Sequence, residues 1–191
     1  MKKIFLIFTF LAIGLVTFAQ DFAKIDKSSM DAAYYPTKAT KRAFAKTDAE
    51  KTALTPKIRV LYSRPLKKGR NIFGELLKFN EPWRVGANES TEILFMTDVK
   101  FGGTAVKAGR YSLIAVPTSD SWTFHLNTEL DGWGNYSYNA EWDVATITVP
   151  TQSSEEVIEA LSITLYEKSP NLVHLKIGWD KTIVELPITL K

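Results

Sequence analysis

Between Trp83 and Glu89 the chain places an indole, a guanidinium, a carboxamide and a carboxylate, carried by Trp83, Arg84, Asn88 and Glu89, around Gly86. Arg64 and Arg70 lie shortly upstream, on and after a strand-like run that ends at Pro65. These residue types suit a small polar ligand, because the planar fork of a guanidinium matches a carboxylate, a phosphate or a pair of sugar hydroxyls. They also have a purely structural reading. An arginine beside Glu89 would form an ion pair that pins the connection, and Asn88 would cap a turn. Gly86 is expected to let the chain turn sharply between Trp83 and Asn88, gathering the cluster with Arg64 and Arg70 at one end of the fold.

A second constellation is aromatic. Trp133, Tyr136, Tyr138 and Trp142 fall in a Gly- and Asn-rich stretch. Such rings stack on the apolar faces of sugars while Asn and Asp take the hydroxyls, or else they cap the open end of a β-sandwich.

Catalytic chemistry has less to stand on, and no catalytic residue is assigned. The chain has two histidines, His125 and His174, at polar-facing strand positions, and no cysteine. No paired-histidine spacing points to zinc, and neither metal nor cofactor is expected. No nucleophile elbow of the G-x-S-x-G type occurs. Spacing leaves a Ser/His/Asp triad open, because triads assemble from distant segments; otherwise a hydrolase or isomerase would use Glu89 with His125, or pair Glu89 with Glu81 as glycosidase carboxylates.

The elements that must position these groups read as β. Ile58, Val60 and Tyr62 alternate with Arg59, Leu61 and Ser63; Trp122, Phe124 and Leu126 alternate with Thr123, His125 and Asn127. The same period of two marks Ala145 to Val149, Leu161 to Leu165, Val173 to Trp179 and Val184 to Ile188. Gly102-Gly103 between apolar runs predicts a hairpin, because a tight primed turn needs positive φ. About nine short strands, with no helical run long enough for βαβ crossovers, predict an all-β protein, an antiparallel β-sandwich or barrel with an irregular N-terminal arm. One core is expected from Trp122, Phe124, Leu126, Ile147, Ile163, Leu175 and Ile177.

Residues 1–19 read as a signal peptide. Lys2 and Lys3 precede an apolar run to Ala19, and Thr17-Phe18-Ala19 offers small residues before a cleavage site at Gln20. The run is broken by Thr9, Gly14 and Thr17 and is shorter than the roughly 20 apolar residues of a membrane span. Cleavage leaves 172 of the 191 residues, a single domain's length, with 22 basic against 21 acidic side chains. That balance lacks the basic excess of a nucleic-acid binder. Without a cysteine the mature protein is neither a lipoprotein nor disulfide-stapled. Residues 20–55 read as the arm and 56–191 as the sandwich domain.

Ser63-Arg64-Pro65, Gly69-Arg70, Ile72-Phe73-Gly74, Trp83-Arg84-Val85-Gly86-Ala87-Asn88-Glu89, Ala108-Gly109-Arg110-Tyr111-Ser112-Leu113 and Trp133-Gly134-Asn135-Tyr136 follow one another in an order and spacing that resemble the bacterial family catalogued as domain of unknown function 2911. Met30-Asp31-Ala32-Ala33-Tyr34-Tyr35-Pro36 is similar to a segment upstream in one branch of it, so the likeness runs from about Asp26 to Ile188. The chain departs from the pattern at Phe79-Asn80-Glu81-Pro82, where the family carries a glycine and a basic residue. The resemblance implies an exported, β-rich domain and brings no catalytic residue with it.

The reading from sequence is therefore an exported, periplasmic or secreted protein. Its leading role is a non-catalytic module for a small polar or carbohydrate ligand. The alternatives are an envelope protein-interaction module and a hydrolase or isomerase.

Overall fold

The computed structural model describes residues 21–191, so the expected signal peptide lies outside the described residues. Two antiparallel sheets pack face to face, and neither closes into a barrel. The larger has six strands in the order β1-β2-β3-β6-β7-β8, with β1 at Met30–Tyr35, β2 at Ile58–Ser63, β3 at Glu92–Phe95, β6 at Gly109–Pro117, β7 at Ser121–Asn127 and β8 at Asp143–Pro150. The smaller runs β5-β4-β10-β9, with β4 at Val99–Phe101, β5 at Thr104–Val106, β9 at Gln152–Ser169 and β10 at Leu172–Leu190.

Period-two alternation fixes which side chains face the interior. Ile58, Val60 and Tyr62 of β2, Trp122, Phe124 and Leu126 of β7, and Val173, Leu175, Ile177, Trp179, Val184, Leu186 and Ile188 of β10 are all buried in one core. Of the seven core residues expected from sequence, six are buried, and Ile147 is partly buried against them. The sheets are also tied by a polar link. The Tyr62 hydroxyl accepts a hydrogen bond from the Ile163 amide at 3.0 Å and donates to the Ile163 carbonyl at 3.4 Å, joining β2 to β9 in the interior. Burial pushes this phenol's pKa up.

Ten strands are seen where about nine were expected, for three reasons. The arm supplies β1, paired along its length with β2 from Met30↔Ser63 to Tyr35↔Ile58. Its mostly half-exposed side chains carry no alternation to read. The run from Ile93 to Phe101 is two strands, β3 and β4, and they belong to different sheets. Conversely, Val173–Trp179 and Val184–Ile188 are halves of the single strand β10. Asp180, with φ 55°, marks a register shift there rather than a turn between strands.

The Gly102-Gly103 hairpin forms as expected, with φ 57° and 83° and Phe101 opposite Thr104. The remainder of the arm holds a 3-10 helix, Ala39–Phe44, and a short helix α1, Asp48–Ala53. At the N-terminus of α1 the Thr47 hydroxyl accepts from the Glu50 amide, while the Glu50 carboxylate accepts from the Lys46 amide at 2.7 Å, a reciprocal arrangement close to a capping box. At the departure from the family pattern, Asn80 adopts φ 63°. Asparagine tolerates this left-handed conformation better than most residues that carry a Cβ.

Candidate functional site

The long connection from Pro65 to Thr91 is hydrogen-bonded to both sheets, at β9 through Pro65 and Lys67 and at β6 through Asn80 and Trp83, and Trp83 anchors it. Trp83 exchanges backbone hydrogen bonds with Ala115 of β6 at 2.7 and 2.8 Å, and its indole N–H donates to the Gly86 carbonyl at 3.2 Å. The ring is not at the surface. It is 3% exposed and lies 5.6 Å from Trp122, 6.1 Å from Trp179 and 6.1 Å from Phe73, centroid to centroid.

The turn that follows differs from the one expected. Gly86 does not supply positive φ; Val85 and Asn88 do, at 56° and 60°. A β-branched residue in the left-handed region is strained. Val85 is held there by complete burial of its side chain and by the Thr91 hydroxyl, which donates to its carbonyl at 2.9 Å. Gly86 serves close approach instead. A Cβ there would stand 3.2 Å from Thr91 Oγ1 and 3.4 Å from the Ser63 carbonyl.

The cluster predicted from sequence is divided by this geometry. Arg64 clamps β1 and β9 together: its Nε donates to the Leu161 carbonyl at 3.0 Å, one terminal nitrogen pairs with Asp31 at 2.9 Å, and the other donates to Ser162 Oγ at 2.9 Å. Arg70 folds back on its own loop, donating to the carbonyls of Lys67 at 2.9 Å and Leu66 at 2.5 Å. The Asn88 carbonyl accepts from the Gly134 amide at 2.8 Å, which joins the segment to the aromatic loop. Glu89 forms a β-bridge with Trp133 and lines a cavity of about 250 Å³ with Ser90, Glu92, Arg110 and Asp131.

Arg84 lines a different cavity, of about 540 Å³, with one terminal nitrogen of its guanidinium lying toward Gly134, and among the described residues it has no ion pair with Glu89 or any other acid. Its Nε is buried without a hydrogen-bond partner. Burial lowers the guanidinium's pKa. The structural clamp between Arg84 and Glu89 is therefore not made.

Arg70, Trp83 and Arg84 do meet in this larger cavity. Two further cations, Lys27 and Lys68, line it as well, and sequence reasoning passed over both because lysine-rich loops are ordinary solvated surface. Leu66, Leu76, Leu77 and Trp179 complete the apolar wall.

Trp133, Tyr136 and Trp142 are 60%, 88% and 45% exposed, so these rings project into solvent instead of capping the core. Tyr138 is half-buried and donates from its hydroxyl to Asp143 at 2.9 Å. The aromatic loop and Arg84 converge on Gly134. A Cβ there would lie 3.3 Å from the Tyr136 ring and 3.4 Å from an Arg84 terminal nitrogen, and Gly134 has φ 70°.

No hydrogen bond or ion pair joins Glu89 to His125 among the described residues. The His125 Nδ1 instead contacts Asp143 at 2.7 Å, in a cluster with Tyr138 on the outer face of the six-stranded sheet. The phenol of Tyr138 is pushed up in pKa, first by burial and then by its bond to Asp143. A parallel cluster joins His174 Nδ1 to Glu185 at 2.9 Å, with the Tyr166 hydroxyl donating to the same carboxylate at 2.6 Å. That bond, reinforced by burial, pushes Tyr166 up to about 12. Burial alone would raise the Glu185 carboxyl, but the hydrogen bonds from Tyr166 and His174 outweigh it and hold the pKa below its ordinary value. Strand register could have signalled one of these partners, since His174 lies opposite Tyr166, but His125 lies opposite Thr146 and reaches Asp143 three residues away on β8. Among the described residues no group of three His, Asp or Glu side chains is placed to hold a metal ion, and no helix is long and apolar enough to cross a membrane.

The fold and this cavity together define an antiparallel β-sandwich whose strand-end connections enclose a cation-lined pocket. The chain belongs to the family described as "Protein of unknown function (DUF2911)", whose model matches residues 45–188. No curated protein and no solved structure matches the chain.

Proposed function

We propose that the protein is an exported, non-catalytic binding module of the cell envelope, and that it takes a small polar ligand, carbohydrates included, in the cavity beside Arg84. The observation that carries this reading is the Arg84 guanidinium: half-buried, without an acidic partner among the described residues, and with its Nε lacking any hydrogen bond. That Nε is closed to solvent, but the two terminal nitrogens also make no hydrogen bond among the described residues and stay open to it, so they are the donors a ligand would meet, each charge-assisted hydrogen bond contributing about 1.5–3 kcal/mol. The strained Val85 beside it supports the same reading, because strain of this kind clusters at ligand sites. The cavity volume of about 540 Å³ falls within the range of small-molecule sites, about 300–1,000 Å³.

Arg84→Ala is the direct test. Because no paired carboxylate is stranded by the substitution, stability should change by less than about 1 kcal/mol, against about 3–5 kcal/mol for breaking a buried ion pair. Affinity for a ligand found by screening the purified mature protein should fall by about tenfold or more, the loss of one charge-assisted hydrogen bond. A well-folded Arg84→Ala variant with unchanged affinity rejects the site.

Export rests on the basic, apolar and small-residue succession of residues 1–19. N-terminal sequencing of the protein from the periplasm or medium should begin at Gln20; retention of residues 1–19 in a membrane fraction rejects this reading. A second role, as an envelope interaction module, is supported by the three exposed rings of Trp133, Tyr136 and Trp142 on one loop region. Aromatic residues at such density are typical of binding surfaces. In that case Trp133→Ala would abolish capture of the partner while leaving ligand affinity in the Arg84 cavity intact.

A further inference from the structure

We infer that the ligand of the Arg84 cavity is an amphiphilic oxyanion, a carboxylate or phosphate monoester carried on an apolar aliphatic or aromatic body. The inference rests on the cavity being the binding site and goes further by naming what the site selects.

The hydrogen-bonding sense of the lining favours an acceptor. Its charged side chains are Lys27, Lys68, Arg70 and Arg84, and no acid stands among them. Lysine and arginine are donors only. Ser28 is the sole neutral lining residue with a hydrogen-bonding side chain apart from the Trp83 and Trp179 indoles, and indoles donate only. Both are already engaged, Trp83 with the Gly86 carbonyl at 3.2 Å and Trp179 with the Glu159 carbonyl at 3.3 Å. A neutral sugar presents hydroxyls that must donate as well as accept, and these side chains give its donors almost nowhere to go. An oxyanion accepts only, and so matches the wall.

Charge points the same way. Four cations around one partly enclosed space repel one another, and an anion relieves that repulsion while an ammonium group adds to it. Arg70 already donates to two carbonyls of its own loop, which leaves Arg84 as the guanidinium whose two terminal nitrogens are unengaged among the described residues, its Nε being closed to solvent. The neighbouring cavity is mixed in charge, since Arg110 pairs there with Glu92 and Asp131 and leaves Glu89 beside them, whereas the lining of the Arg84 cavity carries no acid.

The remaining wall sets the body of the ligand. Leu66, Leu76, Leu77, Trp83 and Trp179 offer apolar surface next to the cationic groups. Burying a ligand's methylene groups against it is worth about 0.8 kcal/mol each, a gain that a bare inorganic anion forgoes. Head and body are therefore both required.

Trp83 and Trp179 make occupancy visible in tryptophan emission. The test titrates the full mature chain with octanoate, octyl phosphate, octylamine, octanol, methyl glucoside and inorganic phosphate, and repeats it with Arg84→Ala and Arg84→Lys. The expected result is saturable binding of octanoate, octyl phosphate or both, at least about tenfold tighter than octanol and weakened by salt, with octylamine silent. Arg84→Ala should cost the anions about tenfold or more and leave octanol unchanged, while Arg84→Lys recovers part of the loss. Preference between octanoate and octyl phosphate distinguishes the two head groups. Octanol or octylamine binding as tightly as the anions, or anion binding indifferent to Arg84→Ala, overturns the inference. Binding of methyl glucoside or another neutral compound that Arg84→Ala abolishes, with the anions silent, overturns the oxyanion but keeps the cavity as the site. No response to any of the probes at millimolar concentration overturns the oxyanion, and a wider screen that also finds nothing removes the cavity.

Discussion

Trp83→Ala is expected to destabilise the protein by about 3–5 kcal/mol, the range for removing a large buried aromatic side chain. Trp83 was singled out in the sequence as a binding residue, but only its edge reaches the cavity. The ring is 3% exposed, lies 5.6 Å from Trp122 at an interplanar angle of 88°, and stacks at 21° on Trp179. Its indole N–H also closes the turn onto the Gly86 carbonyl, so the substitution frees the loop that presents Arg84. Urea unfolding measures the effect. Trp133→Ala is the control, since that ring is 60% exposed and its loss should stay within about 0.5 kcal/mol. A loss below about 1 kcal/mol at Trp83 would place its ring outside the core.

Gly102→Ala should cost about 3 kcal/mol, and Gly103→Ala, one residue on, about 1 kcal/mol. Both glycines have left-handed φ, 57° and 83°, which penalises any residue with a Cβ by about 1–2 kcal/mol. The difference lies in what surrounds them. A Cβ on Gly102 would stand 2.1 Å from the Thr146 carbonyl oxygen and 3.0 Å from its carbon, whereas a Cβ on Gly103 meets nothing within 4 Å. Thr146 belongs to β8 in the other sheet, so the obstacle is backbone and cannot rotate aside. Overpacking of this kind adds about 1–3 kcal/mol. Equal losses in denaturant unfolding of the two variants would mean that the β4–β5 hairpin does not press on β8.

The contrast between these glycines also marks the limit of what a sequence shows. Gly102-Gly103 was legible as a hairpin because positive φ is a property of the residue itself. Which of the two glycines touches the opposite sheet was not legible, because that depends on how the sheets are stacked. Strand periodicity followed the same division. Ile58, Val60 and Tyr62, or Trp122, Phe124 and Leu126, declare their buried face by alternation. β1 hid in the arm because an edge strand with mostly half-exposed side chains has no strong alternation. The single strand β10 read as two because Asp180 and its neighbours look like a turn and are instead a bulge.

For the site, the sequence by itself determined the residue types: a tryptophan, arginines, an asparagine and a glutamate around one glycine, with an aromatic loop farther on, and the family to which that succession belongs. Tertiary structure decided their roles. Five residues apart, Arg84 and Glu89 seemed natural partners, yet the left-handed φ of Val85 and Asn88 turns them into separate cavities. Arg64 is engaged by Asp31, Leu161 and Ser162, two of them nearly a hundred residues away. Trp83 is drawn into the core by Trp122 and Trp179, while Lys27 and Lys68 arrive at the cavity from other segments. Local conformation and periodicity are short-range consequences of each side chain's shape and polarity, and so they can be read in order along the chain. Whether a guanidinium ends with a carboxylate, a carbonyl or an open cavity depends on segments that only the packing of the two sheets brings within hydrogen-bonding distance.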